Sequence, residues 1–181
     1  MDTDAEAWCE GPVAAALDEE PARRGLPPYR PEPAGPDPGP DHEEKLIPPT
    51  GAFAALCREA LTPAERSKLL DWTDLVPVPF DGPIELPVPS AHGDRTAVCS
   101  VHRVLPLAER VADALGLPDD LPDGSRSTHL TSWFLDFEEH RDTLAARAGR
   151  RARDLPAAFC AARYLRAARH CLHRGRPMTS C

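Results

Sequence analysis

The chain has no long hydrophobic run. None of its apolar stretches approaches the roughly 20 residues that a helix needs to cross a bilayer. Residues 1–10 are acidic and contain no apolar segment of the kind that a signal peptide requires. We therefore expect a protein that does not enter the membrane and that stays inside the cell, in the cytoplasm or the nucleus.

Aromatic residues are scarce, whereas proline is abundant. The 181 residues include two tyrosines, three tryptophans and five phenylalanines, against 22 prolines. Eleven of those prolines precede residue 50, in a segment that is otherwise rich in Asp, Glu, Gly and Ala. Such a segment buries too little apolar surface to offset the entropy lost on ordering. The composition therefore predicts a disordered, acidic, Pro-rich arm over residues 1–49, with stretches of polyproline II.

The common catalytic signatures are also missing. The chain contains no Gly-x-Ser-x-Gly elbow, no phosphate-binding loop, no Gly-x-Gly-x-x-Gly and no His-Glu-x-x-His. Its six cysteines have no regular spacing, and we expect them to be reduced. Cys99-x-x-His102 resembles half of a zinc site, but no second paired motif supplies the other half. The remaining ligands would come from Cys160, His170, Cys171 or His173. We predict no catalytic residue, cofactor or metal.

Hydrophobic periodicity predicts a mainly helical domain over residues 50–176, followed by a short tail. A helix over 52–61 is followed by the capping box Thr62-Pro63-Ala64-Glu65, which opens a second helix. The alternating prolines of residues 75–90 predict an extended surface segment. Residues 95–105 suit either a helix or a strand, and we favour a helix. Pro106 then opens a further helix, which ends at Gly116.

The longest uninterrupted helical patterns lie between Ser127 and Arg174. The first pattern includes Trp133 and ends at Gly149. The second begins after Asp154, which is a good N-cap, and has a face of Leu155, Ala158, Phe159, Ala162, Leu165, Ala168 and Leu172. Two helices joined by so short a loop pack antiparallel. The sequence therefore predicts that the domain ends in a helical hairpin.

Charge is divided unevenly along the chain. Residues 141–181 contain ten arginines and two acidic residues, a net of +8, whereas residues 1–140 contain 11 basic and 27 acidic residues, a net of −16. A basic end on an acidic body is typical either of pairing between the two halves or of an anionic partner such as nucleic acid. The candidate nucleic-acid-binding residues are Arg150, Arg151, Arg153, Arg163, Arg166, His170 and Arg174.

One motif resembles a known family. The segment Phe53-Ala54-Ala55-Leu56-Cys57-Arg58 is similar to the elongin-binding helix of a suppressor-of-cytokine-signalling box, and Val76-Pro77-Val78-Pro79 follows where that family has a cullin-selecting Leu-Pro-Leu-Pro element. The resemblance covers residues 53–86. It implies that an apolar helix inserts into a groove of elongin C while the proline segment contacts a cullin. The partner-binding residues that it implies are Phe53, Leu56, Cys57, Leu61, Val76, Pro77, Val78 and Pro79.

These observations favour a non-enzymatic adaptor or regulator that binds other proteins. In the form implied by the resemblance, the chain recruits a partner to an elongin and cullin ubiquitin ligase. The alternative is a nucleic-acid-binding regulator that uses the basic C-terminal helices. The two hypotheses differ in salt dependence, because phosphate contacts weaken steeply as salt rises and an inserted apolar helix does not.

Overall fold

Residues from distant parts of the chain form a four-stranded mixed sheet. The computed structural model describes residues 19–20, 22–26, 50–87, 94–117, 121, 130, 132–134 and 154–179. In these ranges the strands are β1 (Asp74–Val76), β2 (Ile84–Leu86), β3 (Thr96–Ser100) and β4 (Met178–Thr179), in the spatial order β2-β3-β1-β4. The helices are α1 (Gly51–Ala60), α2 (Pro63–Leu70), α3 (Val101–Leu115) and α4 (Leu155–Arg174). The prediction of a mainly helical domain that ends in a hairpin is therefore wrong, and the fold is mixed α/β.

Strand β3 is central, and it lies where periodicity favoured a helix. β1 pairs with it in parallel, with Asp74 opposite Val98, and β2 pairs with its other side antiparallel. Thr73 extends the parallel ladder, since its hydroxyl accepts from Ala97 N at 2.7 Å and its backbone N–H donates to Ala97 O at 2.9 Å. The predicted helix over 95–105 is therefore wrong for Thr96–Ser100. A local pattern that suited both structures is decided here by two non-local partners.

Helix α3 follows β3 without an intervening loop. It begins at Val101 rather than at Pro106, because Val101 and Val104 continue the apolar face of the later turns. Pro106 therefore lies inside the helix, where it cannot donate the hydrogen bond that a helical N–H makes to the preceding turn. The predicted end is confirmed, since Gly116 has a φ of 66° and caps the helix in the left-handed conformation.

The two faces of the sheet are buried by different hydrophobic clusters. Leu75 and Cys99 point to one face, where they join the main core formed with α1, α3 and α4. Neighbouring residues on each strand point to the other face, as the alternation of a strand requires. That face carries a second cluster of Val76, Phe80, Ile84, Leu86 and Val98.

Helices α1 and α2 both begin with side-chain caps, of which the sequence predicts the second. Thr50 accepts a hydrogen bond from Phe53 N at 3.2 Å, and the capping box of Thr62 and Glu65 is complete. Glu65 also pairs with Arg110 of α3 at 2.6 Å. These contacts with Arg110 and Thr62 lower the pKa of Glu65 to about 2. The carboxylate thus joins α2 to α3 at the surface.

Helix α4 is buried on more than one side. The predicted cap is confirmed, since Asp154 accepts from Ala157 N at 3.3 Å, and the helix ends at Gly175. The predicted apolar face is only part of what is buried, because Cys160, Tyr164 and Cys171 on other sides are also in the core. Leu172, which was predicted to face the core, is 38% exposed. An Ala-rich helix suits this position, since small side chains let α1, α3 and β1 approach it closely.

The predicted partner of α4 in the hairpin falls mostly outside the described residues. Residues 130 and 132–134 are helical, and Leu130 and Phe134 are buried. Phe134 meets Phe159 of α4 edge to face, with ring centroids 5.2 Å apart. In the described ranges, the most extensive helix contact of α4 is with α3.

Both ends of the chain contribute to the fold. Residues 22–23, within the arm predicted to be disordered, are helical, and Leu26 packs against the second cluster. Met178–Thr179, within the predicted tail, pairs with β1 as strand β4. No helix in the described part of the chain has both the length and the apolar character that crossing a membrane requires.

Asp74 is a carboxylic acid in the interior of the sheet. The residue is 3% exposed, and its Oδ1 accepts a hydrogen bond from the Thr179 hydroxyl of β4 at 2.7 Å. Burial raises its pKa, and the hydrogen bonds from Thr179 and Thr73 offset only part of that effect. A carboxyl group whose pKa is raised by folding stabilises the fold below its unfolded pKa and loses that contribution as pH rises through the folded value.

We therefore expect Asp74→Asn to stabilise the protein at neutral pH. The amide keeps an acceptor for Thr179 and removes the cost of burying a charge. The gain in melting temperature should shrink as pH falls below about 4, where an unfolded aspartate is protonated as well. Thermal unfolding followed by circular dichroism across a pH series measures the gap, with the exposed Asp94→Asn as a control. A variant that is less stable than the wild type at pH 7 would contradict this account of Asp74.

Candidate functional site

A cleft of about 350 Å³ lies beside the segment that connects β1 to β2. Its apolar wall is formed by Leu26, Pro79 and Phe80, and its polar wall by Arg24, Asp81 and Arg103. The cleft is therefore built from three separate parts of the chain: the N-terminal segment, the connecting segment and the first turn of α3. Two guanidinium groups beside an aromatic ring suit a ligand that carries negative charge next to an apolar group.

Arg24 links the N-terminal segment to the segment that connects β1 to β2. Its Nη1 and Nη2 donate to the carbonyl oxygens of Asp81 and Pro83, both at 3.3 Å, and its Nε donates to Glu20 at 2.8 Å. The guanidinium group therefore already serves three acceptors. Its role in the cleft is to hold the segment that connects β1 to β2 against the N-terminal segment.

The Arg103 guanidinium has more N–H donors than its ion pair with Asp81 uses. Its Nη2 pairs with Oδ1 of Asp81 at 2.6 Å, and the two side chains are 57% and 86% exposed. Ion pairs this exposed contribute little to stability. A guanidinium group has five N–H donors, so the pair with Asp81 leaves most of them free for an incoming oxyanion. Arg103 is thus the side chain of the cleft that is best placed to bind a ligand.

A smaller notch adjoins the cleft and contains a hydroxyl without a partner. The notch, of about 10 Å³, shares Phe80 and Arg103 with the cleft and is also lined by Lys68 and Ser100. Ser100 is 2% exposed, and its Oγ has no hydrogen-bond partner in the structure. A buried hydroxyl without a partner costs free energy. The notch has room for about one oxygen atom of a water or of a ligand.

The start of α3, directly after β3, adds positive electrostatic potential to this notch. Ser100 is both the last residue of β3 and the N-cap of α3, yet its side chain makes no capping hydrogen bond. The first N–H groups of a helix have no intrahelical acceptor and carry a partial positive charge. None of the ion pairs between residues of the described ranges involves Lys68. Ser100, Lys68 and Arg103 therefore combine a neutral donor, two cations and a helix N-terminus.

The helix that resembles an elongin-binding element lies in the main core. Phe53 and Cys57 are fully buried, and Leu56 and Leu61 are at most 5% exposed. Phe53 stacks on Tyr164 of α4, with ring centroids 5.3 Å apart. The predicted partner-binding face of α1 is therefore covered by α4, and none of these four side chains is available to a partner while the domain is folded.

The second element of the resemblance is partly accessible. Val76 is buried at the end of β1, and Pro77 and Val78 are half-buried. Pro79 is exposed and lines the cleft. Of the residues predicted to bind a protein partner, Pro79 is thus the one that the fold places in the candidate site.

The predicted nucleic-acid-binding residues do not form an exposed stripe on α4. Arg163 and Arg166 are buried, and the Arg163 guanidinium lies 5.6 Å from the centre of the Phe159 ring. His170 and Arg174 are half-buried. Arg150, Arg151 and Arg153 lie outside the described residues. On α4, Arg169 and His173 are the exposed basic side chains, and Arg169 lies 3.9 Å from Glu109 of α3.

The cysteines considered as metal ligands or nucleophiles are core residues. Cys99 and Cys171 are buried, whereas His102 and His173 are exposed. Burial raises the pKa of the Cys57 and Cys99 thiols to about 11 and that of Cys171 to about 12, so these thiols are protonated at neutral pH. No group of three or more potential metal ligands occurs within the residues that the structure describes.

Sequence reasoning missed the cleft because its residues are far apart in the chain. Arg103 comes next to Arg24 in the cleft and next to Lys68 in the notch only after the sheet has formed. One local signal was present, since Phe80-Asp81-Gly82-Pro83 reads as a turn directly after an extended segment. A turn that follows a parallel strand lies at the carboxyl edge of the sheet, where open α/β folds commonly bind their ligands.

The comparisons with known proteins add no relative to this picture. No family model matches the chain, and neither the curated proteins nor the solved structures include a match.

Proposed function

We propose that the chain is a non-catalytic adaptor or regulator that binds an acidic segment of a protein partner in the cleft between the β1–β2 connection and α3. The observation that carries this proposal is the exposed guanidinium of Arg103 beside Phe80, with Arg24 holding the wall behind it. Apolar and cationic groups lie side by side, as in sites that bind an anionic side chain together with part of its backbone.

The shape of the cleft favours a polypeptide over an enclosed small molecule. Asp81 and Arg103 are more than half exposed, so the site opens to solvent along one side. Pro79 has no N–H, and the residue is exposed at the rim of the cleft. Small-molecule sites usually bury most of their ligand, whereas protein contacts are made on open surfaces such as this.

The chemistry of the core supports binding rather than catalysis. The thiols of Cys57, Cys99 and Cys171 are held in the protonated form by burial, and the thiolate is the nucleophile in cysteine chemistry. Asp74 is enclosed in the sheet and hydrogen-bonded to Thr179. These groups stabilise or tune the fold, and none of them lines the larger cleft.

We therefore propose that the partner-binding site of the adaptor is the cleft and not α1. Docking of α1 into elongin C would require α1 to separate from α4, because Phe53 and Cys57 are in the core. Recruitment to an elongin and cullin ligase is then an outcome that a binding experiment can detect, and the cleft does not depend on it. On α4, the nucleic-acid alternative would use the exposed Arg169 and His173 rather than the buried Arg163 and Arg166.

Site-specific photocrosslinking tests the location of binding. We expect p-benzoylphenylalanine in place of Pro79 to crosslink to an acidic peptide, five residues long, with a central glutamate between aspartates. Pro87 is the matched control, because it is also an exposed proline and follows β2 at the opposite end of the sheet. Mass spectrometry of the crosslinked products gives the yield at each position. Equal yields at the two positions, or none at Pro79, would contradict the proposal.

A further inference from the structure

We infer that the notch at Ser100 is a phosphate subsite, so that the acidic partner segment is recognised through a phosphoserine. This inference rests on the proposed function and names the chemistry of its ligand. Three residues whose side chains donate hydrogen bonds line the notch: Ser100, Lys68 and Arg103. The start of α3 at Val101 adds a fourth group of donors.

The unpartnered hydroxyl distinguishes this notch from an ordinary helix N-terminus. Ser100 is almost fully buried, its Oγ lacks a hydrogen-bond partner, and it does not cap its own helix. A phosphate oxygen in the notch would accept from this hydroxyl. The buried donor would then be paired, and the negative charge would lie at the positive end of the α3 dipole.

The volumes of the notch and of the cleft suit a phosphate group that places one oxygen atom in the notch and the others in the cleft. A notch of about 10 Å³ admits one oxygen atom but not a whole phosphate group. The remaining oxygens would stay in the adjoining cleft of about 350 Å³, next to Arg103. A carboxylate has only two oxygens and a smaller charge, so it cannot fill the notch and pair fully with Arg103 at once.

The Asp81 carboxylate is expected to weaken the binding of a phosphate group. Asp81 occupies one donor of Arg103 and faces the same cleft, where it would repel a phosphate group. Asp81→Asn should therefore strengthen phosphate binding. The change leaves the backbone carbonyl of residue 81 in place to accept from Arg24.

Fluorescence anisotropy with two labelled peptides tests the inference on the full chain. One probe is a pentapeptide with a central phosphoserine between aspartates, and its twin has glutamate at the centre. We expect the wild type to bind the phosphopeptide about 10-fold more tightly, because a hydrogen bond to a charged group contributes about that factor. Ser100→Ala should reduce the ratio of the two affinities to about 1. Asp81→Asn should lower the Kd for the phosphopeptide.

The possible outcomes distinguish failure of the phosphate subsite from failure of the proposed function. A ratio that survives Ser100→Ala, or a wild type that binds both peptides equally, overturns the phosphate subsite and leaves the proposed function intact. Binding of neither peptide overturns both. Inorganic phosphate at matched ionic strength identifies the source of the phosphate: if it binds as tightly as the phosphopeptide, the ligand is a free phosphate and the assignment to a partner segment is overturned. Ser100→Ala should melt at or slightly above the wild-type temperature, since the lost hydroxyl is buried without a partner in the fold.

Discussion

The double change Leu56→Ser, Cys57→Ser is expected to unfold the domain. Both side chains are at most 2% exposed and belong to the main core, where α1 packs against α4. Replacing a buried leucine by a small polar residue leaves a cavity, which costs about 2–5 kcal/mol. Two buried hydroxyls without assured partners add about 1–3 kcal/mol each. The sum is comparable to the whole stability of a typical domain, about 5–15 kcal/mol.

Circular dichroism and thermal unfolding measure this loss directly. Arg58→Ser is the matched control, since Arg58 follows Cys57 on the same helix but is exposed. We expect the control to melt within a few degrees of the wild type and the double variant to show no cooperative transition near the wild-type temperature. The opposite pair, a stable double variant that no longer captures elongin C, would show that α1 is an interaction helix and that its burial against α4 is not the native arrangement.

Local signals predicted several of the helix ends, because those signals act over a few residues. Thr62 and Asp154 cap their helices, and Gly116 and Gly175 end theirs. In each case a side-chain oxygen or a left-handed backbone satisfies groups within about one turn. A single sequence contains all the information that such a contact requires.

The sheet could not be predicted in the same way, because its strands stabilise one another across the chain. Residues 75–90 were predicted to be extended by their prolines, yet nothing in that segment reveals that β1 pairs with Val98 and its neighbours. Three-residue strands such as Asp74–Val76 also carry almost no periodicity. Thr96–Ser100 was ambiguous between helix and strand until its partners were known.

The apolar residues of the elongin-like motif are buried in the core of the domain. Leu56, Cys57 and Arg58 have the spacing of an interface helix, but the same spacing of apolar residues also produces a core-facing helix. The packing of α4 against this face, where Tyr164 stacks on Phe53, distinguishes the two. The cleft was missed for the converse reason, since Arg103 and Ser100 belong to no motif and become a site only at the junction of β3 and α3.

Reversing the charge of Arg103 should abolish most of the binding in the cleft. Arg103→Glu removes the exposed guanidinium and places a carboxylate where the acidic peptide would bind. Loss of hydrogen bonds to a charged ligand weakens binding by about 10- to 100-fold. The fold should tolerate the change, since the ion pair with Asp81 is exposed and position 103 is in the first turn of α3, where a negative charge is favourable.

The affinity of Arg103→Glu relative to Arg95→Glu is the measurement that tests the cleft most directly. Both variants change the net charge of the chain by the same amount, and both positions are exposed. Arg95 lies before the first residue of β3, roughly 16 Å from the Ser100 end at the rise of an extended strand. With the acidic peptide as the probe, we expect Arg103→Glu to weaken binding at least about 10-fold and Arg95→Glu to change it less than about two-fold. Equal losses in the two variants would show that the peptide responds to overall charge and that the cleft is not its binding site.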